Sequence, residues 1–132
     1  MKHEITDLDE IYTEIGQELI NLIPDDFKES WIRTEISEDA WSISIFYKKP
    51  KGTYGYINDD IDSLEEKIKL LHSFYKDKTS EPWNSATFHL INTFKMSLNL
   101  GYEDISDFGK SSERRETWIK NHLGEDAKID WY

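Results

Sequence analysis

Apolar residues open the chain at three- and four-residue steps: Leu8, Ile11, Tyr12, Ile15, Leu19, Leu22 and Ile23. That spacing draws one stripe along a helix. Thr6 to Asp9 offers the N-cap, Asp9 and Glu10 suit the first turn, and Pro24 stops the helix near Ile23. Gly16 is a weak point inside it, costing about 1 kcal/mol relative to Ala. The period then changes to two. In Trp31–Ile36, Ile32, Thr34 and Ile36 share one face, and Trp31, Arg33 and Glu35 share the other. Ser37–Ala40 reads as a turn. In Trp41–Tyr47, Trp41, Ile43, Ile45 and Tyr47 alternate with Ser42, Ser44 and Phe46. A basic turn, Lys48–Gly52, leads to a shorter third strand over Thr53–Ile57, rich in the aromatic and β-branched residues that strands favour.

A second helix follows, with Ile61, Leu64, Ile68, Leu71 and Tyr75 as its stripe. Asp60, Asp62 or Ser63 caps it, and Ser63-Leu-Glu-Glu66 matches a capping box. It fades near Lys78–Ser80, ahead of Pro82. Trp83–Leu100 reads as a second hairpin turning near Asn92-Thr93, with Ala86, Phe88 and Leu90 on one strand and Phe94, Met96, Leu98 and Leu100 on the next. A loop over Gly101–Asp107 precedes a last helix from Ser112 to Leu123, which Gly124 ends. Trp118, Ile119, Leu123 and Arg115 would face the sheet. The tail Ile129–Tyr132 either docks or frays. Strands joined by short loops pair antiparallel. The expected architecture is α+β: a single antiparallel sheet of four to five strands, with about three helices packed mainly on one face. The order is α-β-β-(β)-α-β-β-α, within one domain over residues 1–132.

Composition sharpens this picture. Five Trp, seven Tyr and six Phe supply a core despite 33% charged residues. The chain lacks cysteine, which excludes disulfides and thiolate zinc sites. No apolar run is long enough to span a bilayer, and Met1–Asp7 has neither the basic nor the apolar region of a signal peptide. The expectation is a cytoplasmic protein with no membrane partner. The net charge is −11, and residues 1–30 alone hold nine acids against two bases. A second acidic group gathers Asp59, Asp60, Asp62, Glu65 and Glu66. Phosphates would be repelled, so direct nucleic-acid binding is not expected. A basic protein is the better match, because opposite fields speed encounter.

Chemistry-bearing patterns are sparse. No serine lies in a Gly-x-Ser-x-Gly elbow, and Gly52-Thr-Tyr-Gly55 is too short for a phosphate loop. His3, His72, His89 and His122 are scattered without metal-ligand spacing. Asn58–Asp62 resembles the start of a calcium loop but lacks the Gly and Glu that an EF-hand needs, so capping of the second helix is the better reading. With 27 acids, close carboxylate pairs are inevitable and uninformative. His72 and His89 read as packed or surface histidines, and Trp31, Trp41, Trp83 and Trp118 as core. No catalytic residue, metal ligand or cofactor is assigned. Tyr54, Tyr56 and Tyr102, read as exposed beside acid, form a composition common at protein-binding surfaces.

Three stretches carry a resemblance: Asp9–Pro24; Glu81-Pro-Trp-Asn-Ser-Ala-Thr-Phe88 with Phe94-Lys-Met-Ser-Leu-Asn-Leu-Gly-Tyr-Glu-Asp104; and Arg114-Arg-Glu-Thr-Trp-Ile-Lys-Asn-His-Leu-Gly124. In this order they resemble the YezG-like (EsaG-type) immunity proteins over nearly the whole chain. The hairpin departs from that pattern, turning through Asn92-Thr-Phe-Lys95 where the family has Gly-Lys-Phe. The segment between the second and fourth strands is also short. The resemblance implies a cytoplasmic immunity protein (antitoxin) that binds a cognate secreted or contact-delivered bacterial toxin. That toxin is often a nuclease, and its active site or fold is blocked stoichiometrically. Such a role needs no catalysis and no cofactor. Candidate toxin contacts are then Asp59, Asp60, Asp62, Glu103, Asp104 and Asp107, pairing with basic residues of the nuclease cleft. Tyr54, Tyr56 and Tyr102 would serve as anchors. The free protein would be a monomer or weak dimer. Two other readings stay open: a non-catalytic adaptor subunit of a cytosolic complex, and a small enzyme using a carboxylate pair.

Overall fold

The computed structural model describes residues 8–36, 41–79, 83–102 and 110–131. The expected turn at Ser37–Ala40 and the caps at Thr6 and Asp7 lie outside them. The elements are α1 (Leu8–Leu22), β1 (Glu29–Ile36), β2 (Trp41–Lys48), β3 (Tyr54–Ile57), α2 (Asp62–Thr79), β4 (Ser85–Ile91), β5 (Met96–Gly101), α3 (Ser111–His122) and β6 (Ile129–Asp130). Strand order across the sheet is β5-β4-β1-β2-β3-β6. β1 sits centrally, antiparallel to β2 with Ile32 opposite Ile45, and antiparallel to β4 with Ile32 opposite Phe88. The α+β class holds. The sheet has six strands where four to five were expected, and it is mixed. The docked tail makes the difference: Ile129 and Asp130 run parallel to Tyr54 and Gly55. Two residues show no period, so this pairing has no local signature.

Alternation sends β1 to two layers. Ile32 and Ile36 join Ile43 and Ile45 of β2, and Ala86, Phe88 and Leu90 of β4, beneath α1 and α2. The stripe residues Ile11, Ile15, Leu19, Leu64 and Ile68 are fully buried there. At about 25 cal/mol per Å² of apolar surface, each contributes roughly 1.5–3 kcal/mol. Trp31 points the other way. It forms a second, smaller core with Phe46, Tyr54, Trp118 and Leu123. Two helices therefore share one face, and α3 covers part of the opposite one.

Trp118 ties α3 to that face. Its indole nitrogen donates to the Thr87 hydroxyl at 2.8 Å, and its ring lies 5.1 Å from Phe46. Past α3, Gly124 takes a positive φ of 109° and donates its N–H to the Ile119 carbonyl at 3.0 Å, the expected stop. Gly55 serves β3 differently: a Cβ there would meet the ring of Tyr47, the cross-strand neighbour on β2. Truncating Trp118 to Ala is expected to cost about 3–5 kcal/mol. Urea titration of the variant checks this, with the loss falling on α3 signals before those of α1 and α2.

His72 lies between the rings of Trp41 and Trp83, edge-on to both at 5.4 and 4.9 Å, with Nε2 2.9 Å from the Trp83 carbonyl. Burial pushes its pKa below that of a free imidazole; the hydrogen bond to the Trp83 carbonyl opposes this, and Lys76 adds to the push. The folded chain thus binds this proton less readily than the unfolded chain. The associated stability is present above the unfolded value near 6.5 and is lost as pH falls through the lower folded value. Thermal melts between pH 7.5 and 5.5 should therefore drop further for the parent chain than for His72→Gln.

Candidate functional site

The acidic group lies where β3 gives way to α2. Ile57 and the buried Ile61 bracket Asn58, Asp59 and Asp60, and Asp62 begins the helix. Asp60 takes a positive φ of 54°, a conformation that Asp tolerates better than most residues. Asp59, Asp60 and Asp62 are all exposed. None of them forms an ion pair among the described residues. Asp62 and Glu65 occupy the first turn of α2, where the helix dipole favours carboxylates. Asp59 and Asp60 precede the helix and project their charge into solvent.

The tyrosines separate. Tyr54 is buried, with 7% of its surface exposed, and its hydroxyl donates to the Leu123 carbonyl at 3.2 Å. It holds the end of α3 to β3, which corrects its reading as an exposed anchor. Tyr56 is half-buried, 5.2 Å from Phe46 and 4.8 Å from Trp131. Tyr102 is 56% exposed but follows β5, at the other side of the sheet. Four strand spacings separate β3 from β5, roughly 19 Å. Glu103, Asp104 and Asp107 lie outside the described residues. The structure thus brings Asp59, Asp60 and Asp62 together near Tyr56 and sets Tyr102 on a separate surface.

Two features had little signal in the sequence. The first is a polar groove of about 830 Å³ between α3 and the face of β1, β4 and β5. Glu35 accepts from Arg33 Nη2 at 3.0 Å, and from Arg114 Nε at 2.8 Å and Nη2 at 3.3 Å. Burial lowers the Arg33 pKa; Glu35 opposes that, while Arg114 and Arg115 reinforce it. One carboxylate thus holds two guanidiniums and fixes the angle of α3. The Arg33–Glu35 half was visible as residues sharing a strand face; Arg114 lies 79 positions further on. Nearby, His89 stacks on Trp31 at 5.1 Å, with Nε2 2.7 Å from Glu29. Among the described residues, no group of three His, Cys, Asp or Glu is placed to hold a metal ion.

The second is an apolar groove of about 510 Å³ between α1 and the β4–β5 hairpin, lined by Tyr12, Gly16, Ile20, Leu90, Phe94 and Met96. The hairpin turn explains its shape. Ile91 N–H reaches the Lys95 carbonyl at 3.0 Å, and Phe94 N–H reaches the Ile91 carbonyl at 2.8 Å. Residues 92–94 form the three-residue loop, whose last position takes a left-handed conformation. Phe94 fills that position at a φ of 67°. β5 accordingly begins at Met96, two residues after the alternation alone placed it. Phe94 stays 64% exposed, although its ring is 6.4 Å from that of Phe27.

Comparison with known proteins fits this architecture. The family model described as "Immunity protein YezG-like" matches residues 8–62 and 54–130. The immunity protein YezG of Bacillus spizizenii is 24% identical, over 87% of this chain and 81% of its own length. The immunity protein YezG of Bacillus subtilis is 20% identical, over 89% and 88% respectively. With matches running from α1 to β6, the chain belongs to the YezG-like immunity protein family.

Proposed function

We propose that this chain is the immunity partner of a bacterial toxin domain, which it binds one to one and neutralises by covering the toxin's active site. The observation that carries the reading is the family match across nearly the whole chain. The finer proposal is that the toxin is a basic nuclease. A net charge of −11 and three exposed carboxylates at the head of α2, without an ion pair among the described residues, support it. A nuclease cleft lined by Lys and Arg to hold phosphates is the complement of such a surface. Asp59, Asp60 and Asp62 would enter that cleft in place of the nucleic acid, with Tyr56 and Trp131 beside them. Tyr102 would contact the toxin from the other side of the sheet, and Glu103, Asp104 and Asp107 would add carboxylates to the interface. The role asks no chemistry of this chain and no cofactor. Binding would take place in the cytoplasm, where a delivered toxin acts; no helix among the described residues is long and apolar enough to cross a membrane.

Co-expression with the C-terminal domain of the large protein encoded beside this gene is expected to rescue a host which that domain alone kills, and to yield a co-eluting complex. A neighbour that is harmless, or that kills regardless, removes the reading. Within a formed complex, exchanging Asp59, Asp60 and Asp62 for Asn should slow association about tenfold at low salt and flatten its dependence on ionic strength. Stopped-flow association rates at several salt concentrations measure this. Unchanged rates would take the patch out of the interface.

A further inference from the structure

We infer that the outer edge of β5 is a second binding surface, at which one extended basic segment of the toxin adds as a strand. This rests on the immunity reading and specifies how the partner is held. The hydrogen-bond register identifies the free groups. The bond from Ile91 N–H to the Lys95 carbonyl makes those two residues a bonded pair. Alternation then turns the backbone of Ser97 and Asn99 toward β4, and that of Met96, Leu98 and Leu100 outward. No strand pairs with that outward row among the described residues, since β5 ends the sheet.

The two ends of the sheet differ. At the far end β6 has only two residues, and its Asp130 is held to Lys49 by a 2.7 Å ion pair. Short strands and charged side chains are the usual protection of an edge. β5 has six residues, Met-Ser-Leu-Asn-Leu-Gly, without charge or proline. Such an edge is a template for strand addition. Its apolar side continues into the groove beneath α1, where Phe94 is held outward at a positive φ that a bulky residue rarely adopts. A strand added here would lay alternate apolar side chains beside Met96, Leu98 and Leu100.

Charge selects the occupant. Asp25 and Asp26 are exposed immediately before Phe27, whose ring meets Phe94 at the hairpin tip. Exposed Glu10 lies on α1. Lys95 on the hairpin and exposed Lys28 after Phe27 are the bases nearby, so the attraction comes from the acids before Phe27 together with the net charge of the whole chain. A second copy would bring another −11 to this edge, whereas a segment carrying Lys or Arg among its apolar residues would be drawn to it. Acid at the head of α2 would then govern how fast the partner arrives, and main-chain pairing at β5 how slowly it leaves.

The test is amide hydrogen exchange, followed by NMR on the free protein and on its complex with the neighbour-encoded toxin domain. In the free protein the Met96, Leu98 and Leu100 amides should exchange quickly, and those of Ser97 and Asn99 slowly. In the complex, the first three should slow at least tenfold. In parallel, Met96→Pro, which removes an outward N–H, should dissociate about tenfold faster than Met96→Ala, which keeps it, at equal association rate. Melting temperatures confirm that both variants fold. A complex that forms while those amides stay fast overturns the edge proposal and leaves the immunity reading standing. Concentration-dependent protection in the free protein assigns the edge to a second copy and also overturns it. A domain that does not bind removes both.

Discussion

Everything in this fold hangs on β1 being committed on both of its faces. A strand covered on one side can leave its other side polar; β1 cannot. Ile32 and Ile36 close the core under α1 and α2, while Trp31 carries the second core and Arg33 and Glu35 carry the ionic junction with α3. Slipping the register by one residue would exchange these sets, placing Trp31 and Arg33 in the Ile-rich layer. Both neighbouring strands are antiparallel to β1 and share its parity, so the constraint passes through Phe46 on one side and His89 on the other. The helices follow from the strand.

The junction at Glu35 shows how charge is used inside an acidic molecule. Arg33 is 6% exposed and lies close to Arg114 and Arg115. One carboxylate makes this arrangement tenable, since removing one partner of a buried pair leaves an uncompensated charge that costs several kcal/mol. The acid elsewhere has a different environment. Asp59 and Asp60 face water, without an ion pair among the described residues, and shape the external field rather than the packing.

Local pattern made much of this visible. The stripes of α1 and α2, the two-residue period of β1, β2 and β4, and the stops at Pro24 and Gly124 are properties of short windows, where backbone geometry dictates side-chain direction. What was hidden was set by contacts distant in sequence. The pairing of Ile129 with Tyr54 gives two residues a strand conformation they would not choose alone. Packing against Trp31, Phe46, Trp118 and Leu123 likewise buries Tyr54, which was read as exposed beside acid. Position in the sheet also divided the candidate surface: Tyr56 and Tyr102 look alike in sequence, yet they sit on opposite sides of four intervening strand spacings. The ordered motifs of the resemblance reached the family where residue chemistry reached only a partner-binding acidic domain.

The position of β1 also orders events in time. Its pairing with β2 joins two strands that are consecutive along the chain, a microsecond process for a hairpin. Its pairing with β4 must bring together segments about fifty residues apart, with all of α2 between them, and long-range closure of this kind slows folding. The half-built sheet would therefore present β1 as a bare edge until β4 arrives. The newly made chain would pass through a state in which the strand that ends up most deeply buried is its most accessible one.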